Sequence, residues 1–264
     1  AKHNVISYSK VDTSRIGFTD LEDNDRIPSQ KIGYVRYDHP KNGERQFDIQ
    51  TPEIKLDNYG IPDGDGPYYK TTSSRAFVKI PLEVNNMVKG ESEEERTKRS
   101  SKLTKFRKSL EAIDKYMQDN KEKFFGSAKT AKKYTYQPIV RKPQEKDVDS
   151  DSDSDSDNDN KETVTVQRPL YMKAKIPIQW ETDNVTLDIY RSNKEGTSEF
   201  EEDGSHTQLT DVQTLDQLRK HVGYMRDVRF VLHACKLWAS KQASNGQETR
   251  KYGITFKVRR VEVQ

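Results

Sequence analysis

Between residues 168 and 180 the sequence RPLYMKAKIPIQW places Leu170, Met172, Ala174, Ile176, Ile178 and Trp180 on every second position. That is the period of a strand with one buried face, and it leaves Tyr171, Lys173, Lys175 and Gln179 on the other. The pattern recurs at Ala76, Val78, Ile80 and Leu82, which alternate with Arg75, Phe77 and Lys79. Two short strands are expected at 32–36 and 45–51, joined as a hairpin through His39-Pro40-Lys41-Asn42-Gly43, where Asn-Gly supplies positive φ. Val185, Leu187 and Ile189 predict a strand that returns on the 168–180 strand through Thr182-Asp183-Asn184. The last strands are expected at 228–238 and 251–263, joined by the polar loop 240–250. In the second of these Thr255, Lys257 and Arg259 lie opposite Ile254, Phe256 and Val258.

Two stretches have the helical period instead. Leu103, Phe106, Leu110, Ile113 and Met117 are spaced three and four apart, behind the acidic Glu91 and Glu93–Glu95 and ahead of Gly126. This predicts one long amphipathic helix with acids at its positive end. A shorter helix is expected from Val212, Leu215, Leu218 and Val222, capped by Thr210 or Asp211 and closed by Gly223. Up to about Arg26 no period is sustained. The organisation expected is a mainly β, α+β protein with one long and one shorter added helix. Residues 1–44 form an N-terminal arm and peripheral strands, and 45–264 form the main domain.

Composition changes this picture in one place. With 31% hydrophobic against 34% charged residues, a good part of the chain must be solvated loop. Much of that surplus sits at Asp147, Asp149, Asp151, Asp153, Asp155, Asp157 and Asp159, a run too repetitive and self-repelling to fold, so about 144–163 is expected to be disordered. Ser150, Ser152, Ser154 and Ser156 inside it suit an acid-directed kinase. Removing these seven negative charges from a formal +3 leaves the rest of the chain at +10, which favours an anionic partner. The stretch 192–208 is a further polar insertion. A single cysteine, Cys235, in an apolar run argues for a reducing compartment and an inert thiol. With no apolar run of membrane length and no signal-peptide core, an intracellular soluble protein without membrane contact is expected.

Catalytic chemistry finds little support. The glycines at 60–66 are not followed by Lys-Ser or Lys-Thr, the five histidines stand at no metal-ligand spacing, and Asp63 and Asp65 read as a turn. No cofactor or metal is implied. His233 falls opposite the apolar face of its strand and is expected to be a surface residue. Residues 127–142, by contrast, interleave Lys129, Lys132, Lys133, Arg141 and Lys142 with Tyr134 and Tyr136. Together with the two basic-aromatic strand faces, that chemistry suits stacked bases and neutralised phosphates.

The segments FDIQTPEIKLDNYGIP, SRAFVKIPLE, SLEAIDKYM, YTYQPIVRKP, RPLYMKAKIPI, VRFVLHACKLWASKQ and KYGITFKVRRVEV, in this order over roughly 45–264, resemble the single-stranded-DNA-binding proteins of nucleocytoplasmic large DNA viruses, such as that of African swine fever virus. The resemblance implies an OB-like β-barrel with added helices. It also implies a role in viral DNA replication, repair or recombination at replication sites in the host cytoplasm, alongside other replication proteins; the nucleus and the virion are further locations. The expectation is then non-catalytic binding of single-stranded DNA with little sequence preference. Bases would stack on Tyr171, Phe77, Tyr134, Tyr136 and Tyr252, with Trp238 reaching the groove after a change of strand phase near Cys235. Arg75, Lys79, Arg141, Lys173, Lys175, Lys257 and Arg259 would hold phosphates. RNA fits the same features, and a structural virion protein is the alternative class. Because the acidic run ends shortly before Arg168, it is expected to compete with DNA for Lys173 and Lys175.

Overall fold

The computed structural model describes residues 5–64, 69–84, 90–143, 168–192 and 206–264. In chain order the strands are β1 (Val5–Ser7), β2 (Ile16–Phe18), β3 (Glu22–Asp23), β4 (Gln30–Gly33), β5 (Val35–His39), β6 (Gly43–Gln46), β7 (Asp48–Gln50) and β8 (Ile54–Lys55). They continue with β9 (Phe77–Pro81), β10 (Tyr134–Tyr136), β11 (Tyr171–Lys175), β12 (Asp188–Ser192), β13 (His206–Gln208), β14 (Asp227–Ser240) and β15 (Arg250–Val263). The helices are α1 (Thr72–Arg75), α2 (Glu93–Asp119), α3 (Lys121–Phe125), α4 (Ala128–Ala131) and α5 (Leu215–His221). The aspartate run with its four serines, and most of the insertion at 192–208, lie outside the described residues.

The protein is built on β14 and β15, each 14 residues long and paired antiparallel from Val228↔Val263 to Ala239↔Tyr252. Short strands hang on both edges of this ribbon. β8, β7 and β4 line the β14 edge, and β10, β11 and β12 run parallel to β15 on the other. β9 then pairs with β11 and β1 with β7, giving the order β1-β7-β14-β15-β11-β9, while β2, β5 and β6 form a separate three-stranded sheet. Among the described residues no pairing joins β1 to β9, so the main sheet is an open path around one core. The architecture is mainly sheet with few helices. The register shifts by one residue between Val231 and Leu232 and again between Ala234 and Lys236. After these bulges the buried positions move from Val228, Phe230, Leu232 and Ala234 to Leu237 and Ala239. Since an extra residue exchanges the two faces of a strand, this is the change of phase the sequence shows at Cys235.

α2 starts in a capping box: the Ser92 hydroxyl accepts from the Glu95 N–H and the Glu95 carboxylate accepts from the Ser92 N–H. Such a cap contributes about 1 kcal/mol. The stripe Leu103, Phe106, Leu110, Ile113 and Met117 is fully buried against the sheet. Asp114 joins it, accepting from the Tyr136 hydroxyl (2.8 Å) and from the N–H groups of Ile139 (2.8 Å) and Val140 (3.1 Å). Burial pushes its pKa up, against the opposing pull of these three donors. The helix stops at Asn120 rather than running to Gly126: Asn120 leaves the helical region (φ −102°, ψ 13°), its side-chain amide donates to Tyr116 O (2.9 Å), and the short α3 follows. Gly126 closes α3 in the left-handed region at φ 72°. α5 likewise begins later than expected: Thr214, not Thr210 or Asp211, forms its capping box, with Gln217.

Two strand expectations also change. The hairpin turn lies at His39–Gly43, where it is expected, but its strands are β5 and β6, while Ile32 and Gly33 end β4 and Asp48–Gln50 form β7, both paired with β14 in the main sheet. The expected 168–180 strand leaves the sheet after Lys175, and the return at 185–189 keeps a single bridge, Ile178↔Val185, before β12 rejoins β15. Trp180 therefore lies outside the core its spacing assigns it to and is 89% exposed.

Candidate nucleic-acid interface

Side chains that face each other across strands share a sheet face, so the register assembles the candidate surface. Phe77↔Lys175, Lys175↔Lys257, Lys257↔His233 and His233↔Asp48 form one outward row across β9, β11, β15, β14 and β7. Lys79↔Lys173 form the next. Past the second bulge, Lys236↔Thr255 and Trp238↔Gly253 continue on the same side. With strands about 4.8 Å apart, five strands span roughly 19 Å.

At one end Tyr59 and Tyr171 meet with ring centroids 5.1 Å apart, and Lys79 Nζ lies 5.1 Å from the Tyr171 centroid and 5.7 Å from that of Tyr59. The Tyr59 hydroxyl donates to Pro169 O (2.9 Å), holding a loop residue against the strand. At the other end Trp238 is half-buried across Gly253, whose missing Cβ would lie 3.4 Å from the indole Cζ2. Between these rings stand lysines. Arg141 joins them from the side, its backbone paired with Tyr171 through N–H···O bonds of 2.8 and 3.0 Å.

The electrostatics of this face are one-sided. The Lys173 pKa is lowered by burial first and then by the charges of Arg141, Lys79 and Lys175. Lys236 is lowered by burial and by Lys175, Lys257 and Arg26. The Cys235 thiol beside them is pushed up by burial, against Lys257, Lys236 and Lys175, and donates to Thr255 O at 3.2 Å. Among the described residues Lys79, Arg141, Lys173, Lys175, Lys236 and Lys257 form no ion pair with a carboxylate. An isolated set of like charges stores repulsion that a bound polyanion relieves.

Several expected site residues prove to be elsewhere. Phe77 does lie on the outer face, but it is only 2% exposed, roofed by Tyr69 (centroids 5.4 Å) and by Lys173 Nζ, 3.5 Å from its centroid. Tyr134, Tyr136 and Tyr252 are buried and cannot take a base. β10 runs parallel to the start of β15, with Tyr136 opposite Tyr252, so their rings face inward. There Tyr134 stacks on Phe125 (3.8 Å, 9°), Tyr136 holds Asp114, and Tyr252 donates to Met117 O (2.9 Å). Burial raises the pKa of both Tyr136 and Tyr252. Arg75 is buried at the end of α1 in a bidentate pair with Asp216 (2.5 and 2.8 Å), which leaves no fork for phosphate. Arg259 is exposed, yet its guanidinium is held by Asp48 (2.6 Å) and Gln46 (2.8 Å). His233 is not a free surface residue either, because its Nδ1 bonds the same Asp48 at 2.8 Å.

The face thus gathers Lys79, Arg141, Tyr171, Lys173, Lys175, Lys257 and Trp238 from the expected set. It adds Tyr59 and Lys236. Tyr59 sits in an aperiodic loop and gives no signal in the sequence, whereas Lys236 becomes an outward residue once the phase change at Cys235 is applied. Among the described residues no helix is long and apolar enough to cross a membrane. No family model matches the chain. Over 265 residues it is 26% identical to the uncharacterized protein R505 of Acanthamoeba polyphaga mimivirus, an alignment that covers 96% of this chain and 59% of that protein. The chain is thus similar to a viral protein of which it spans little more than half the length.

Proposed function

We propose that this chain binds single-stranded DNA with little sequence preference, through the outer face of β9, β11, β15 and β14. The observation that supports this reading is the row of cations that have no carboxylate partner among the described residues, bounded at both ends by partly exposed aromatic rings. Phosphates would be neutralised by Lys79, Lys173, Lys175, Lys236, Lys257 and Arg141. Bases would stack on Tyr171 and Tyr59 at one end and on Trp238 at the other. Among the described residues nothing on this face offers a fixed bidentate pair to a base edge, so affinity would rest on stacking and on counterion release. The path of strands around one core is compatible with an OB-like arrangement, and the likeness to a viral protein fits service in viral DNA replication, repair or recombination at replication sites in an infected cell.

The test is a fluorescence-anisotropy titration of the protein with labelled oligo-dT, matched duplex and matched RNA. Preference for oligo-dT over duplex is expected. Tyr171→Ala should cost about 1–3 kcal/mol of binding without lowering the melting temperature by more than a few degrees. Wild-type affinity in the Tyr171→Ala, Lys173→Ala double variant would remove the assignment of this face. Preference for RNA over DNA would redirect it to RNA, where a 2′-hydroxyl is read.

A further inference from the structure

The excursion between β11 and β12 differs from the rest of the chain in its charge. From Ile176 to Tyr190 it carries Glu181, Asp183 and Asp188 and no lysine or arginine, in a chain that has 46 of them. Its turn is pinned. The Asp183 N–H donates to Gln179 O (2.9 Å) and the Gln179 N–H to Asn184 O (2.7 Å), while Asp183 sits in the left-handed region at φ 56°. The Asn184 N–H also donates to Thr182 Oγ1 (3.3 Å), and the Val185 N–H donates to Gln213 O (2.8 Å), tying the base of the turn to the segment before α5. At the tip stands Trp180, the most exposed of the large hydrophobic side chains among the described residues. An indole held in water on a rigid turn is preorganised to bind, since little ordering remains to be done on contact.

The charge around it selects the partner. Glu181 and Asp183 are both exposed and would repel a phosphate backbone drawn past the indole, so the turn is not a continuation of the nucleic-acid face. The complement of an aromatic knob flanked by carboxylates is a ring-bearing surface with a basic rim. This chain carries such a surface: Tyr59 and Tyr171 with Lys79, Lys173, Lys175 and Arg141 beside them. Knob and socket are different places on one chain, so a single contact between two copies leaves one knob and one socket open to further copies.

We propose that the Trp180 turn of one copy docks on the basic face of a second copy, so that the protein forms weak head-to-tail chains which single-stranded DNA disperses by taking the same face. This rests on reading that face as the anion-binding surface. The experiment is sedimentation velocity at low salt on three proteins: wild type, Trp180→Ala, and the face variant Lys173→Ala with Lys175→Ala. The wild-type sedimentation coefficient should rise with concentration and fall back on adding oligo-dT or salt. Trp180→Ala should stay a monomer, as should the face variant. An equimolar mixture of the two should form a heterodimer, because it reunites one intact knob with one intact socket. A wild-type monomer at every concentration, self-association retained in Trp180→Ala, or chains indifferent to oligo-dT would each overturn the proposal. So would a fall in the oligo-dT affinity of Trp180→Ala, which would make the indole a base-stacking residue. In Trp180→Ala the DNA-binding face is untouched, so its oligo-dT titration judges the proposed function separately.

Discussion

Replacing Lys173 and Lys175 by alanine removes two of the six cations on the outer face, and the consequence can be worked out before any measurement. If Lys79, Arg141, Lys173, Lys175, Lys236 and Lys257 each neutralise one phosphate, the affinity for oligo-dT should fall with salt along a log–log slope of about −4, at roughly 0.7 per phosphate of a single strand. The double variant should show a slope of about −2.8. A tenfold dilution of salt then strengthens wild-type binding about 10⁴-fold and the variant only some 600-fold. Fluorescence anisotropy of a labelled oligo-dT across a salt series reads both slopes directly. The fold should survive the change. Lys173 and Lys175 have no carboxylate partner to orphan among the described residues, and the native state holds the Lys173 ammonium less readily than the unfolded chain does. With its pKa depressed, that lysine opposes folding at pH values below the depressed pKa, so its removal relieves repulsion while uncovering the Phe77 ring. An unchanged slope in a variant that melts like wild type would refute the reasoning, because it would mean that these two lysines meet no phosphate.

Asp114→Ala should be severely destabilising: it strands the Tyr136 hydroxyl and the Ile139 and Val140 N–H groups, at about 1–3 kcal/mol for each buried donor. Urea unfolding measures the loss, and a midpoint equal to wild type would contradict the role given to that carboxylate. Glu53 has its pKa raised to about 7, first by burial and then by Asp227, against Lys102, Lys55 and Arg229. The native state thus binds its proton more tightly than the unfolded chain, so stability is lost as pH rises from the ordinary glutamate range through about 7. Glu53→Gln should therefore raise the melting temperature at pH 8 and leave it nearly unchanged at pH 4.5; an equal shift at both would refute this. Because Arg141 and Tyr171 are backbone partners, both ends of the segment carrying the seven aspartates are fixed at the edge of the basic face. Deleting 147–160 should tighten oligo-dT binding at low salt and lose its effect as salt rises, whereas unchanged affinity at low salt would make that segment a mere linker.

The elements with a clean period were legible. β11, β9, the C-terminal pair and the stripe of α2 all follow from alternation or three-four spacing, because each buries one face against a single core. Tertiary cover was not legible. The spacing puts Phe77 on the outer face, where it is, but the roof over it comes from Tyr69 in a loop and from Lys173 on another strand. The tyrosines of β10 look like a solvent-facing basic-aromatic stretch until a parallel pairing with β15, more than a hundred residues later, turns their rings inward. Arg75 and Arg259 read as free cations because their carboxylates, Asp216 and Asp48, lie 141 and 211 residues away in the chain. Trp180 keeps the parity of its strand after the strand itself has left the sheet. Period reports which way a side chain points, and only contacts remote in sequence report what covers it.

The ribbon of β14 and β15 has a consequence in time as well as in space. β7, β8, β10, β11 and β12 all precede the edges on which they hang. A chain emerging from the ribosome N-terminus first would present these short strands before their template exists, and none is long enough to be stable by itself. Assembly of the main sheet must wait until the residues of β15 are free, and most of its pairings then close over long separations, which makes folding slow. α2, with its own cap and i,i+4 pairs, is the one sizeable element able to form earlier. Until the ribbon arrives, its apolar stripe is the surface that needs shielding from aggregation.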